Sequence, residues 1–236
     1  MSQVVLIVAS TRLLEQAAGV TSALLSRAGR TVTCVRGEAA PPAPEQTGPD
    51  IVVWSLSDEE ASHLTWSPDW NPSAVAVLEA VGSQDGSFLG TSGALILRRD
   101  VEAVAALAPA AVPAGRGPRH AVKVAPRVAV GVGLDAPTRS GDWGEVTEGG
   151  MRWLVRAISD DDGLRKRKDE ASEIHLQRLM PSQALSGWTD DSQQQAATVL
   201  SALTALTLGS VLGCPLAPML HALRDARGST KASEAA

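Results

Sequence analysis

The sequence predicts an α/β fold, with a parallel-sheet domain over residues 1–112 and a mostly helical C-terminal region after it. Three observations carry that prediction. Short unbroken apolar runs at Val4–Val8, Ile51–Trp54 and Ala74–Leu78 read as strands covered on both faces. Between the first two lies a helical period, Leu13, Leu14, Ala17, Ala18, Val20, Thr21, Leu24 and Leu25, which implies a right-handed crossover between parallel strands. Finally, no Asp, Glu, Lys or Arg occurs between Asp191 and Arg224, the pattern of a helix buried in a core or an oligomer interface.

Taken in order, the first strand leads to a helix that Ser10 or Thr11 can cap and Gly29 ends. Thr31–Val35 is a second strand, and a Pro- and Glu-rich loop from Glu38 to Gly48 leads to the third at Ile51–Trp54. Ser57 to Asn71 shows no clear period. Ala74–Leu78 and Gly93–Leu97 are the fourth and fifth strands, and a helix runs from Val101 toward Ala111. Residues 112–120 read as a linker, and Val122–Val124 and Val128–Val130 read as short strands, so 113–146 is expected to be linker with a hairpin. A helix capped by Thr147 is expected through Met151, Leu154, Val155 and Ile158. A charged, solvated helix follows over Asp160–Met180, and another starts at Thr189 with Asp190 and Asp191 in its first turn. The helical region ends near 228, and residues 229–236 read as a disordered tail.

Composition narrows function. The chain has 236 residues, a net charge of −5 and 44% hydrophobic residues, which suits a packed core and argues against a broad nucleic-acid surface. Tyr is absent and Phe occurs once, so a stacking platform for single strands is not expected. Cys34 and Cys214 read as two buried thiols in a reducing cytoplasm, with one long-range disulfide as the alternative, and the N-terminus lacks the basic start and cleavage site of a signal peptide. The apolar window Ala196–Leu212 carries Thr198, Ser201, Thr204, Thr207 and Ser210, so it reads as core or interface and not as a membrane span.

The passage Gly90-Thr91-Ser92-Gly93-Ala94-Leu95-Ile96-Leu97-Arg98-Arg99-Asp100 resembles the segment before the last helix of bacterial response-regulator receiver domains. Pro49-Asp50-Ile51-Val52-Val53-Trp54-Ser55-Leu56 is similar to the receiver strand that ends at the phosphoacceptor. The resemblance covers residues 3 to about 111 and implies a flavodoxin-like sheet with degenerate chemistry. Ala9 and Ser10 stand where receivers carry the acidic pair that holds Mg²⁺. Ser55 stands at the phosphoacceptor, Glu79 near the strand-four hydroxyl, and Arg98 or Leu97 at the lysine. The resemblance therefore implies a regulator without phosphoryl transfer.

Other features are weaker. Ser10, Ser55, Glu79 and Arg98 fall near strand carboxyl ends, where α/β domains bind ligands, so they are the ligand-binding candidates. Gly131-Val132-Gly133 lacks the third glycine of a dinucleotide motif, and the glycines from Gly82 to Gly93 lack the Lys-Ser/Thr ending of a phosphate loop. His63, His120, His175 and His221 show no ligand spacing, so neither metal nor cofactor is expected, and no catalytic residue is assigned. Trp66, Trp70, Val199, Leu203 and Leu206 are the interface candidates, and Arg165, Lys166, Arg167 and Lys168 the nucleic-acid candidates. The favoured expectation is a cytoplasmic, non-enzymatic signal-transduction protein acting through protein contacts as a homo-oligomer. The alternatives are a ligand-binding or enzymatic α/β domain using its strand ends, and a DNA-binding transcriptional regulator.

Overall fold

A computed structural model describes residues 2–37, 48–64, 70–80, 89, 93–108, 128–159, 174–188 and 194–233. Nine strands form one sheet: β1 (Gln3–Val8), β2 (Val32–Arg36), β3 (Ile51–Leu56), β4 (Ala74–Val77), β5 (Ala94–Arg98), β6 (Val128–Val132), β7 (Trp143–Glu148), β8 (Met151–Ser159) and β9 (Ile174–Pro181). Their spatial order is β2-β3-β1-β4-β5-β6-β7-β8-β9. The first seven pair in parallel, and β8 and β9 are antiparallel. The expected parallel α/β sheet is present, but its order is not that of a receiver. Flavodoxin-like domains run 2-1-3-4-5, with the first strand beside the second. Here β3 pairs with both β1 and β2, so the β1–β2 crossover skips one strand position.

The apolar runs behave as their composition dictates. β3 and β4 are buried at every position, as is β1 after Gln3, because helices cover both faces. On one face lie α1 (Thr11–Arg27), α4 (Gln195–Val211) and α5 (Leu216–Ser233). On the other lie α2 (Asp58–His63) and α3 (Glu102–Ala105), with Trp54, Trp70 and Leu89. Helix α1 turns Leu13, Leu14, Leu24 and Leu25 inward, each burial contributing roughly 1.5–3 kcal/mol. Helix α4 is buried from Thr198 to Gly209. Two of its buried hydroxyls bond back along the helix, Thr204 Oγ1 to the Leu200 carbonyl at 2.8 Å and Thr207 Oγ1 to the Leu203 carbonyl at 2.7 Å. At Gly209 a Cβ would collide with Met219 of α5, so the missing side chain lets the two helices meet.

The C-terminal half departs most from expectation. A mostly helical region after the sheet is not what forms: β6 to β9 extend the same sheet as far as Pro181. The helix expected from Thr147 to Ile158 is instead the β7–β8 hairpin. Gly149 (φ 59°) and Gly150 (φ 78°) occupy a two-residue turn in the left-handed region, which matches the twist of an antiparallel pair. The end of the charged helix expected over Asp160–Met180 is strand β9, while residues 160–173, with the basic run, lie outside the described residues. The linker at 112–120 and the strand Val122–Val124 also lie outside them. The backbone of α5 continues to Ser233, through most of the expected tail. Between β3 and β4, where no period was legible, Ser57 and Glu60 form a reciprocal capping box: Glu60 N donates to Ser57 Oγ at 3.1 Å and Ser57 N to Glu60 Oε2 at 2.7 Å.

Replacing Gly150 with valine forces a β-branched side chain into a left-handed conformation, and a stability loss of about 1–2 kcal/mol is expected. Urea unfolding measures it; an unchanged midpoint would contradict the hairpin.

Candidate functional site

Helix α1 leaves β1 on one face of the sheet, while the segment after β4 packs Leu89 against the other. The carboxyl ends of β1 and β4 therefore flank a topological switch point, the place where open α/β sheets form a ligand crevice. A cleft of about 290 Å³ opens there. Its polar groups are Ser10, Arg12, Glu79, Arg98 and Gln194, and Leu13, Leu134 and Leu200 form its apolar wall. The size suits a small ligand.

Two short contacts organise the cleft. The Ser10 backbone N–H donates to Glu79 Oε2 at 2.5 Å, bridging the ends of β1 and β4. Ser10 occupies the N-cap of α1, yet its hydroxyl makes no capping bond. The second contact is a fork: Arg98 Nε and Nη2 donate to Asp100 Oδ1 and Oδ2, both at 2.9 Å. This pairing, ahead of the smaller effects of the Asp100 and Glu79 charges, raises the Arg98 pKa against burial. Burial is the largest influence on Asp100 and would raise its carboxyl, but the Arg98 hydrogen bond and charge, with backbone and Arg99, together hold it below the ordinary carboxylate range. A depressed folded-state pKa contributes stability above the unfolded value of about 4, and that stability is lost as pH falls through the folded value. Asp100→Asn should therefore flatten the acid limb of a plot of urea midpoint against pH. An unchanged acid limb would remove the pairing.

Of the four ligand-binding candidates, Ser10, Glu79 and Arg98 line the cleft, but Ser55 does not. Ser55 is buried inside β3 and donates through Oγ to the Val35 carbonyl at 3.2 Å, so its small size serves the β2–β3 pair. Four of the five interface candidates, Trp70, Val199, Leu203 and Leu206, are interior. Trp70 packs edge-to-face on Trp54 with centroids 5.6 Å apart. Val199, Leu203 and Leu206 lie in the core between α1 and the sheet, which removes the observation that pointed to an oligomer through this helix. Trp66, Arg165, Lys166, Arg167 and Lys168 lie outside the described residues. Cys34 is exposed and only Cys214 is buried, because β2 is an edge strand.

Arg12, Gln194, Leu134 and Asp100 went unnoticed in the sequence. Arg12 carried a signal, since the first turn of a helix after a buried strand faces the strand ends. Gln194 and Leu134 carried none, because only the folded chain brings them to the start of α1, more than 120 positions away in sequence. Among the described residues no group of three metal-ligating side chains forms, and no helix is long and apolar enough to cross a membrane.

The fold and crevice thus define an α/β domain of mixed sheet with a cleft at its switch point. No protein-family model matches the chain. Curated relatives do: it is 34% identical over 226 residues to the UDP-N-acetylmuramoylalanine–D-glutamate ligase of Polaromonas sp., covering 87% of this chain and 36% of that protein. It is 33% identical over 237 residues to the enzyme of the same name from Albidiferax ferrireducens, covering 94% and 43%. The chain thus spans less than half the length of these relatives. Among solved structures, the MurF ligase of Thermotoga maritima in complex with ADP superposes with a TM-score of 0.50 and 11% identity, over 93% of this chain and 48% of that one, a likeness of fold. These findings overturn the receiver resemblance and the expectation of a non-enzymatic signalling regulator acting through protein contacts, because the relatives are ligases. The receiver-like passages were short apolar strands, which many doubly wound sheets share.

The ADP of the MurF structure allows a test of fit. A phosphate loop of the Gly-x4-Gly-Lys-Ser/Thr kind needs eight residues, with glycines that bring backbone N–H groups to the phosphates and a lysine that reaches them. Here only Ala9 and Ser10 separate β1 from α1, and residues 8–18 contain neither glycine nor lysine. The residues at this turn do not fit a nucleotide polyphosphate.

Proposed function

We propose that the chain is a ligase-type α/β domain that binds a small ligand in the cleft between Ser10, Glu79 and Arg98. The observation that carries this reading is the cleft at the switch point of a chain one-third identical, over 87% of its length, to a UDP-N-acetylmuramoylalanine–D-glutamate ligase. The relatives' name supplies the ligands to test, UDP-N-acetylmuramoylalanine and D-glutamate. Both carry carboxylate, and Arg12 and Arg98 are the cleft's cations. The apolar wall from α1 and α4 excludes water from one side and strengthens any ion pair formed there.

Isothermal titration of the chain with each compound tests the reading. Saturable binding to at least one is expected, weakened tenfold or more by Arg12→Ala with the fold intact by circular dichroism. Absence of binding to both, or binding indifferent to Arg12, would overturn it.

A further inference from the structure

We propose that Glu79 is a specificity-determining residue: its carboxylate is the resident anion of the switch-point crevice, and it bars phosphate groups from the start of α1. The inference rests on the reading that this cleft is the ligand site. A helix start attracts anions because its first N–H groups have no partners within the helix and the helix dipole adds positive potential. In this chain that position is filled from within. Glu79, at the end of β4 and 69 residues from Ser10 in sequence, brings Oε2 to 2.5 Å from the Ser10 N–H. The contact closes across the two strand ends that bound the crevice, and Leu78 N donating to the Val8 carbonyl at 2.9 Å keeps those ends in register. A phosphate entering here would displace a carboxylate already on the amide, or sit beside it with like charge.

The surrounding cation is also engaged. Arg98, the strand-end residue of β5, holds its guanidinium in the two-pronged bond to Asp100 and reaches back to the Leu78 carbonyl at 3.5 Å. The Arg98 charge is thus balanced by Asp100, a residue just behind the cleft's lining. Arg12 and the apolar wall line the same cleft. A phosphate seated on the helix start is thereby disfavoured, so of the two ligands named above D-glutamate is favoured over the diphosphate-bearing UDP-N-acetylmuramoylalanine.

Titration of inorganic triphosphate and of ADP into wild type, Glu79→Gln and Glu79→Ala at low salt tests this, with far-UV circular dichroism and thermal melts confirming the fold. Wild type is expected to bind neither more tightly than about 1 mM. Glu79→Ala should bind triphosphate at least tenfold more tightly than wild type, with an affinity that falls as salt rises. Glu79→Gln keeps an amide acceptor without the charge and should fall between. If Glu79→Ala does not fold, the glutamine variant alone decides by its direction of change. Hydrogen exchange gives a second readout: the Ser10 amide should be protected in wild type and exchange faster in Glu79→Ala. Wild type binding ADP or triphosphate more tightly than about 1 mM, or no gain of triphosphate affinity in any folded Glu79 variant, would overturn the proposal. A protein that binds D-glutamate or UDP-N-acetylmuramoylalanine through Arg12 yet shows no such gain loses this inference and keeps the ligase reading.

Discussion

Replacing Asp142 with alanine is expected to destabilise the fold by about 3–5 kcal/mol, among the largest effects any single substitution should have here. Asp142 stands just before β7 with its side chain 2% exposed, and its neighbour Arg99, just after β5, is 12% exposed. Asp142 Oδ1 accepts the Gly131 N–H at 2.6 Å, and Oδ2 lies 3.2 Å from Arg139 Nε and 3.7 Å from Arg99 Nη1. Arg99 also donates through Nη2 to the Asp135 carbonyl at 2.9 Å and to Asp135 Oδ1 at 2.7 Å. Together these groups tie β5, β6 and β7 where the sheet is most weakly laddered, since β6 and β7 share a single register pair, Val132 and Trp143. Removing the aspartate leaves a buried guanidinium short of a charge partner and a buried amide without an acceptor, and both are expensive. Arg99→Met in the same chain removes the charge that then keeps only Asp135 as its partner, so the double variant should recover part of the loss. Urea unfolding at constant slope measures both; a loss below about 1 kcal/mol for Asp142→Ala would show that the cluster is not structural.

Leu203→Ala should cost about 2–5 kcal/mol through a cavity in the core between α4, α1 and the sheet. The same loss is expected at protein concentrations tenfold apart, because Leu203 is fully buried within one chain. If this helix were instead a subunit interface, the melting temperature would rise with concentration and the variant would abolish that rise. Such a dependence would overturn the intrachain placement of α4.

The Asp142 cluster also shows what the Gly131-Val132-Gly133 motif is for. A Cβ on Gly131 would lie 2.6 Å from Arg99 Cγ and 2.9 Å from Asp142 Cγ, and one on Gly133 would collide with Asp135. The glycines make room for a buried arginine and its carboxylate partners. Nothing local reveals that, because Arg99 lies over 30 residues away and only the β5–β6 pairing brings it close. The Thr147–Ile158 stretch illustrates a second kind of loss. Its apolar residues fit a helical period, but Gly149-Gly150 is a hairpin signal; Arg156 stacking on Trp143 at 5.2 Å links β7 to β8, and Arg178 of β9 on Trp153 at 5.7 Å braces β8 from its other side, support that no local window contains.

For the candidate site, three of the four ligand-binding candidates were legible because strand ends are readable from where apolar runs stop. Ser55 was misplaced because its run stops one residue later, at Leu56, so its side chain points into the β2–β3 pair.

By itself, the sequence determined that apolar strands alternate with amphipathic helices in a parallel α/β sheet, and that an uncharged helix near the C-terminus must be buried. Those follow from solvation, which acts residue by residue. Only the tertiary structure decided that β3 inserts beside β1, that the sheet runs on through β9, and that Glu79 closes on Ser10. Each of these depends on pairings between segments far apart in the chain, whose stability comes from surfaces that exist only once both partners are in place.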